Sequence, residues 1–366
     1  MNVLIKRLYH LLIRLLCKII STQKSNKPHI VFMMTFPEDI LPIIKSLNTS
    51  LYDVTVLTAP KNKFHLSAIN NLNVVEMSNK TLVKQIKALK SAQLIIIDNY
   101  YLLLGGYKKA PHQRVIQTWH ASGALKNFGL TDNQVDLSNK AMIQQYRQVY
   151  QATDFYLVGS PYMAHCFKQS LAARDDQMLY FGIPRINKYF TVDREAIKTQ
   201  LKEQYGIKNK LALYVPTYRE DSADNREINK TYFENELPGY TLLNKLHPSI
   251  EVSESDQLTS IDTSTLMLMA DLIISDYSSL PIEASLLNIP TIFYVYDEST
   301  YDKVRGLNKY YFGIPENYKV YSEADLITAI KANKHTLKPL FKDWHIYNTE
   351  HSLPQLLEYI DKMVTK

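Results

Sequence analysis

Short apolar runs alternate with helix-like stretches along almost the whole chain, and this alternation constrains the fold more than any other feature. In the first part of the sequence the apolar runs lie at 29–34, 52–59, 73–77, 94–98, 114–119, 155–160 and 178–183. Continuous apolar strands separated by helices are typical of a parallel sheet that is covered on both faces. The pattern therefore predicts an α/β fold.

The alternation starts again after a charged, helix-like stretch at 193–206. Further strand-like runs then lie at 211–219, 240–248, 250–253, 272–276 and 291–297. A chain of 366 residues also exceeds the usual size of a single hydrophobic core. We predict two doubly wound, Rossmann-like domains that face each other across a cleft, with bounds at 26–192 and 193–350. We expect a last helix at 351–366 that can pack back on the first domain.

Charge and cysteine content narrow the function. The net charge of +6 suits an anionic partner such as a nucleotide, a phospholipid or a nucleic acid. Cys17 and Cys166 are far apart, so neither a disulfide framework nor a zinc site is expected. The sequence contains no P-loop, no GxGxxG and no HExxH motif. Their absence argues against P-loop kinases, Rossmann dehydrogenases and zinc hydrolases.

The first twenty residues predict an amphipathic helix. Leucines and isoleucines cover most of its surface, and a basic stripe recurs every three to four residues at Lys6, Arg7, His10, Arg14 and Lys18. Charges in every turn argue against a membrane-spanning helix or a signal peptide. We interpret residues 1–25 as a helix and linker that bind an anionic membrane surface. The alternative is a helix that packs on the protein's own body.

Ionisable residues stand where the predicted strands end, which is where open α/β sheets bind ligands. Trp119 and His120 lie at the end of one apolar run, and this position makes His120 a candidate general base. Thr217 and Arg219 lie at the end of another run, and the fork of an arginine can bind a phosphate through paired hydrogen bonds. A surface salt bridge to an adjacent acidic residue is an equal alternative for Arg219.

Two more groups lie at strand ends in the second half. Lys245 and His247 fall on the same side of the run 240–248, where a cation and a proton donor suit a pyrophosphate. Asp276 ends the run 272–276 and is expected to help donor binding or to orient a histidine. Next come Ser278 and Ser279, either of which can cap the following helix and leave an anion site.

Three further residues complete the candidates for substrate binding. Glu283 lies one turn into the helix after Ser279, where it can accept ribose hydroxyls. Ser160 repeats the strand-turn-helix cap in the first half, and Arg185 lies near the expected inter-domain hinge. No carboxylate cluster suits a dedicated metal site, so we expect no required cofactor, with any Mg²⁺ carried by a substrate diphosphate.

The motifs "QTWHASGALKNFG", "GSPYM", "FGIPR", "YVPTYR", "KLHP", "ISDYSSLPIEASLLNIPTIFYVYD" and "RGL" occur in this order between about residues 28 and 340. Together they resemble the CDP-glycerol glycerophosphotransferase family of teichoic acid synthesis. The resemblance implies two Rossmann-like domains in the arrangement called GT-B and association with the inner face of the cell membrane. It also implies transfer of a polyol phosphate from a CDP-polyol, with release of CMP. No nucleic acid partner is implied. Arg305 of the "RGL" motif joins the substrate-binding candidates.

The compact size resembles the primases of that family, which add the first glycerol phosphate to an undecaprenyl-diphosphate-linked ManNAc-GlcNAc acceptor. On this resemblance His120 acts as the base on the acceptor hydroxyl. The diphosphate is held by Arg219, Lys245 and His247, and the nucleotide by Ser278, Ser279 and Glu283. Two departures from the family pattern, at Glu283-Ala284 and at 307–311, leave the polyol and the acceptor open.

Three alternatives stay open. One is a polymerising glycerol- or ribitol-phosphate transferase of the same family. Another is a GT-B glycosyltransferase that uses a UDP- or GDP-sugar. The third is a membrane-associated binding protein without catalytic activity.

Overall fold

The computed structural model describes residues 3–22, 25–219, 226–246, 258, 261–333 and 337–365. Its first sheet contains β1 (His29–Met34), β2 (Asp53–Thr58), β3 (Leu72–Glu76), β4 (Leu94–Ile97), β5 (Arg114–Gln117), β6 (Phe155–Leu157) and β7 (Met178–Leu179). The spatial order is β3-β2-β1-β4-β5-β6-β7, and every neighbouring pair is parallel. The order reverses between β1 and β4.

The second sheet is also parallel throughout. It contains β8 (Lys210–Tyr214), β9 (Tyr240–Asn244), β10 (Leu272–Ser275), β11 (Thr291–Tyr294) and β12 (Lys319–Val320). The spatial order is β12-β11-β10-β8-β9, with the reversal between β8 and β10. Two parallel sheets confirm the predicted α/β fold.

Several predicted strands are longer than the observed ones, because the polar residues at their ends belong to loops. The run 240–248 ends as a strand at Asn244, and the run 250–253 lies outside the described residues. The two-residue strand β12 was not predicted, since two residues carry no detectable periodicity.

Helices connect the strands and cover the sheets. They are α1 (Val3–Ile19), α2 (Pro37–Ser46), α3 (Leu82–Ser91), α4 (Leu102–Gly106), α5 (Lys140–Tyr150), α6 (Pro161–Leu171), α7 (Arg194–Gln204), α8 (Lys230–Glu236), α9 (Thr263–Met269), α10 (Leu280–Leu286), α11 (Glu298–Val304), α12 (Lys309–Phe312), α13 (Glu323–Ala332) and α14 (Ser352–Val364).

Alternate side chains of β1 serve two separate cores, which is why its sequence is apolar throughout. Ile30 and Phe32 pack with α2 on one face of the sheet. Val31 and Met33 pack with α3 on the other face. Helix α14, at the end of the chain, contributes Leu353, Leu356 and Ile360 to the core shared with α2. The chain therefore returns to the first sheet after it has formed the second.

Helix α1 docks on the first sheet's helices by one narrow face. His10, which the sequence placed in the basic stripe, is buried, and its Nε2 donates to the carbonyl oxygen of Leu102 at 3.1 Å. Gly105 permits this approach, because an added Cβ would lie 2.7 Å from the His10 ring. Another face exposes large apolar side chains by 45–70%, at Leu4, Ile5, Leu8, Leu11, Leu12, Leu15 and Ile19. Within the described ranges, no helix has the length and apolar character needed to cross a bilayer.

Candidate active site between the two sheets

The loop that follows β5 has a strained backbone. Trp119 has φ of 64°, a left-handed conformation that is rare for a bulky residue. Its backbone N–H donates to Oε1 of Gln117 at 2.9 Å. Its ring is buried against Phe128 and Phe167, at centroid distances of 5.0 and 5.5 Å. Such strain persists where the surroundings fix it, and it is concentrated at functional sites.

His120, the next residue, presents a neutral imidazole. Its Nδ1 lies 2.9 Å from the backbone carbonyl oxygen of Asp98, which can only accept, so Nδ1 carries the proton and Nε2 keeps a lone pair. The ring is stacked between Phe36 and Trp119, at centroid distances of 4.5 and 4.3 Å. Burial lowers the pKa of His120 to about 4. At neutral pH the side chain is therefore an uncharged base.

Two buried aspartates occupy matching places in the two sheets, where the strand order reverses. Asp98 follows β4 and accepts the backbone N–H groups of Thr35 and Phe36, both at 2.7 Å, from the loop after β1. Burial raises the pKa of Asp98 to about 6. Asp276 follows β10 and accepts the backbone N–H and the hydroxyl of Thr217, both at 2.8 Å, from the loop after β8. Each aspartate shapes the crevice where open α/β sheets bind ligands.

Arg219 is a second partner of Asp276. Its Nη2 donates to Asp276 Oδ2 at 2.9 Å, and it forms a two-bond fork with Asp297 at 2.9 and 3.0 Å. The ring of Tyr301 lies 4.7 Å from the guanidinium carbon. Arg219 thus meets two carboxylates in the described part of the chain. Its predicted contact with a phosphate stays a prediction, and the adjacent acidic residues at 220 and 221 lie outside the described residues. Asp276 pairs with this arginine in the described part of the chain, and its predicted role in donor binding or in orienting a histidine stays a prediction.

Arg185 connects the His120 loop to the second sheet. Its Nη1 donates to the backbone carbonyl of His120 at 2.9 Å and lies 3.3 Å from Asp39 Oδ2. Its Nε lies 3.2 Å from Glu283 Oε2, and Tyr189 donates to Glu283 Oε1 at 2.9 Å. Burial raises the pKa of Asp39. Both carboxylate oxygens of Glu283 are engaged in protein contacts, and its binding of ribose hydroxyls stays a prediction.

The loop after β5 and the segment after α11 form an antiparallel backbone bridge between Lys126 and Leu307. Asn127 N–H donates to the carbonyl of Gly306 at 2.9 Å. Gly306 has φ of 83°, and an added Cβ would lie 2.5 Å from the side chain of Asn127. Arg305 extends the contact through an ion pair with Asp132 at 2.8 Å. The "QTWHASGALKNFG" and "RGL" motifs are therefore joined in space.

Lys126 places a cation at this junction. Burial lowers the pKa of its ammonium, and the charges that act on it include those of Asp276, Arg305 and Arg219. The same ammonium lowers the pKa of His120. Across the described ranges Lys126 makes no side-chain hydrogen bond or ion pair. A poorly solvated cation of this kind gains most from an anionic ligand.

The remaining predicted residues lie in different surroundings. Ser160 is fully buried, and its hydroxyl accepts the N–H of Met163 at 3.2 Å, so it caps α6 and has no surface for a ligand. Ser278 and Ser279 are half-buried at the start of α10, and the Ser278 hydroxyl accepts the N–H of Leu280. Lys245 is half-buried directly after β9, and burial lowers its pKa. His247 lies outside the described residues.

Metal-binding side chains are dispersed in the part of the chain that the structure describes. Within it, no three His, Cys, Asp or Glu residues form a group that could hold a metal ion. The two cysteines there are free thiols.

Comparison with known proteins decides the family. The model of the family described as CDP-Glycerol:Poly(glycerophosphate) glycerophosphotransferase matches residues 16–342. The chain belongs to this family. It is 71% identical over its full length, and over the full length of the relative, to a teichoic acid glycerol-phosphate primase of Staphylococcus aureus (strain NCTC 8325 / PS 47). It is 33% identical to the corresponding primase of Bacillus subtilis (strain 168), over 78% of this chain and 77% of that one.

The fold of this glycerophosphotransferase family member is similar to that of solved structures. The wall teichoic acid polymerase TagF superimposes on 98% of the chain, and 93% of that structure is covered, with a TM-score of 0.73 at 17% identity. A UDP complex of MnaA from S. aureus superimposes with a TM-score of 0.58 at 14% identity, over 93% of this chain and 98% of that one. The resemblance inferred from the motifs is confirmed.

Two candidate residues at the site were not singled out from the sequence. Asp98 ends an apolar run, as Asp276 does, so its position after a strand was a usable signal. Lys126 lies inside the motif that contains His120, but nothing in the sequence showed that the loop turns back toward the second sheet.

Proposed function

We propose that this protein transfers one glycerol phosphate from CDP-glycerol to an undecaprenyl-diphosphate-linked ManNAc-GlcNAc acceptor, with release of CMP. The family membership and the 71% identity to a glycerol-phosphate primase support this assignment. The main structural support is the neutral His120, which carries its proton on Nδ1. Its loop forms a backbone bridge to the half of the chain that contains the second sheet. That placement suits a base acting on a substrate that contacts both halves.

His120 is the general base in this proposal. Its Nε2 lone pair takes the proton of the acceptor hydroxyl while the hydroxyl oxygen attacks the β-phosphorus of CDP-glycerol. The bond between that phosphorus and the bridging oxygen breaks, and CMP leaves with the electron pair. Positioned base catalysis of this kind typically contributes roughly 10²–10⁴-fold. The negative diphosphate also favours imidazolium, so binding raises the pKa of His120 from its low value in the free protein.

Cations of the second half and of the loop after β5 hold the diphosphate. We assign the main contact to Lys126, whose ammonium has no ion pair in the described ranges, and a second contact to Lys245. Arg219, engaged with two carboxylates, acts mainly by fixing Thr217 and the tyrosines around it. His247 stays the predicted acid for the leaving CMP. Positioning and charge stabilisation account for most catalysis in phosphoryl transfer.

The nucleotide lies against Ser278 and Ser279, whose hydroxyls are half-buried. Glu283 and Arg185 support the site as an inter-sheet ion pair. Trp119 packs against the imidazole, and Arg305 fixes the loop that carries it. As predicted from the sequence, we propose that the reaction requires no resident cofactor and that any Mg²⁺ enters bound to the diphosphate.

We further propose that α1 holds the enzyme on the inner leaflet of the cell membrane. Seven exposed leucine and isoleucine side chains lie on one face, while His10 and Ile13 dock the opposite side on the protein. The double variant Leu8→Ser/Leu15→Ser should weaken binding to anionic vesicles by roughly tenfold or more, because it removes buried apolar area at the membrane. Leu51→Ser/Leu137→Ser is the matched control, since both leucines lie outside α1 and are at least as exposed as Leu15. Equal vesicle binding by the two variants would exclude the anchoring role.

Thermal stabilisation tests the donor class. A ligand that binds only the native state raises its apparent stability by mass action. CDP-glycerol should raise the unfolding temperature, and UDP- or GDP-sugars at the same concentration should not. Stabilisation by a UDP-sugar alone would favour the glycosyltransferase alternative.

A further inference from the structure

A cavity of about 330 Å³ opens beside α1, between α4 and α5. It is lined by Lys6, Tyr100, Leu102, Gln145, Tyr146, Val149 and Tyr150. Its size is at the lower end of the range for small-molecule sites. Three tyrosines in one small cavity provide flat apolar surfaces with hydroxyl groups at their edges.

A continuous series of ring contacts connects this cavity to His120. The Trp119 ring is stacked on the imidazole at 4.3 Å, and Tyr100 lies 6.0 Å from Trp119. Tyr150 lies 5.6 Å from Tyr100, and Tyr146 lies 6.0 Å from Tyr150. Tyr100, which lines the cavity, is thus separated from the imidazole by the Trp119 ring alone.

The far side of the cavity is formed by α1. The ammonium of Lys6 lies 5.4 Å from the centre of the Tyr146 ring. The neighbouring residues Leu4 and Ile5 are more than half exposed. A molecule in the cavity would therefore contact the Lys6 cation, next to the exposed apolar face of α1, and Tyr100, whose ring neighbours Trp119.

The buried hydroxyl of Tyr150 is a second observation that indicates a ligand site. The side chain is only 4% exposed, and its oxygen has no hydrogen-bond partner among the described residues. A buried hydroxyl without a partner carries a desolvation cost that a ligand can relieve. Burial raises the pKa of Tyr150, so the group remains a proton donor.

We propose that this cavity binds the sugar and diphosphate part of the lipid-linked acceptor. The apolar faces of the sugar rings pack on Tyr100 and Tyr146, a sugar oxygen accepts from the Tyr150 hydroxyl, and the diphosphate lies at Lys6. The lipid then leaves along the exposed face of α1, and the terminal sugar lies toward Tyr100 and Trp119, on the side of His120. This inference rests on the proposed function, because it takes the acceptor from it.

Binding of an acceptor analogue without CDP-glycerol tests the proposal independently of turnover. The analogue is the disaccharide diphosphate on a short alkyl chain, and titration calorimetry gives its Kd. Tyr100→Ala should raise the Kd roughly tenfold through loss of a stacking surface. Tyr150→Phe should raise it about fivefold through loss of one hydrogen bond.

The chain offers a matched control for each variant. Tyr232 on α8 is 41% exposed, against 40% for Tyr100, so Tyr232→Ala should leave the Kd unchanged. Tyr214 is buried with a hydroxyl that has no partner in the described part of the chain, as Tyr150 is, so Tyr214→Phe should also leave it unchanged. An alkyl diphosphate without sugars, titrated alongside, separates sugar recognition from lipid recognition.

Equal Kd values in the cavity variants and the controls would overturn the proposal, as would failure of the wild-type protein to bind the analogue. It is also overturned if the variants weaken binding of the sugar-free alkyl diphosphate as much, because the cavity would then hold the lipid. Failure of the proposed function has a different signature: binding of the analogue persists, but no CMP is released when CDP-glycerol is added.

Discussion

Arg185 donates from Nη1 to the backbone carbonyl oxygen of His120 at 2.9 Å, while its Nε lies 3.2 Å from Glu283. The position of the imidazole therefore depends on an ion pair whose acidic partner belongs to a helix of the second sheet. His120, Arg185 and Glu283 are far apart in the sequence and meet only in the fold. The site therefore exists only when both sheets are formed and in contact.

Glu283→Ala tests this dependence. The substitution leaves the half-buried Arg185 with Asp39 as its remaining carboxylate partner, so the free energy of unfolding should fall by about 2–4 kcal/mol. The turnover rate should fall roughly tenfold or more, because His120 moves. Glu358→Ala removes an exposed pair with Lys362 and should cost less than about 1 kcal/mol. Urea unfolding and CMP release measure both effects, and equal losses in the two variants would disprove the special role of the pair.

Gly306→Ala should separate the His120 loop from the segment after α11. An added Cβ would lie 2.5 Å from Asn127, on a backbone with φ of 83°. We expect a loss of about 1–3 kcal/mol in the free energy of unfolding, together with reduced turnover. Two control variants separate backbone strain from the steric clash. Gly206 also has positive φ, but an added Cβ there would meet no atom within 4 Å, so Gly206→Ala tests strain alone. Gly239 has neither positive φ nor a close neighbour, so Gly239→Ala tests neither effect. If Gly206→Ala reduces turnover as strongly, the bridge is not the cause.

Lys126→Met should weaken CDP-glycerol binding by roughly 10–100-fold, because it removes a charge-assisted contact to the diphosphate. The ligand-free protein should keep or gain stability, because a poorly solvated cation without an ion pair is replaced by an apolar side chain of similar length. Lys303→Met, at an exposed position on α11, is the control. The Kd and the thermal midpoint give the two readouts. Lower stability with unchanged affinity would make Lys126 a structural residue.

The pH dependence should differ between kcat and kcat/KM. The base must be neutral, and burial lowers the pKa of His120 to about 4 in the free protein, so the acid limb of kcat/KM should lie well below pH 6.5. Bound diphosphate raises the pKa of His120, so the acid limb of kcat should lie at higher pH. Rate profiles from pH 4 to 9 measure both limbs. Coincident limbs near pH 6.5 or above would contradict a buried base.

The sequence predicted most of the strands, the parallel sheets and the place of His120 after a strand, because buried parallel strands are continuous apolar runs and ligand sites lie where they end. It did not show which charges meet. Arg219, Asp276 and Asp297 meet although each lies on a different loop, and no local sequence pattern encodes such a contact. The sequence pattern assigned His10 to the exposed basic stripe of α1, because a histidine between lysines and arginines is counted as polar. Its burial depends on Gly105 and Gly106, which lie almost a hundred residues away.

The most direct test of the account is CMP release from CDP-glycerol in the presence of a lipid-diphosphate ManNAc-GlcNAc acceptor, with the products weighed by mass spectrometry. The wild-type protein should add a single glycerol phosphate, and His120→Ala should lose roughly 10²–10⁴-fold in kcat. Long products would make the enzyme a polymerase. Near-wild-type kcat in His120→Ala, or no CMP release by the wild-type protein, would contradict the central claim.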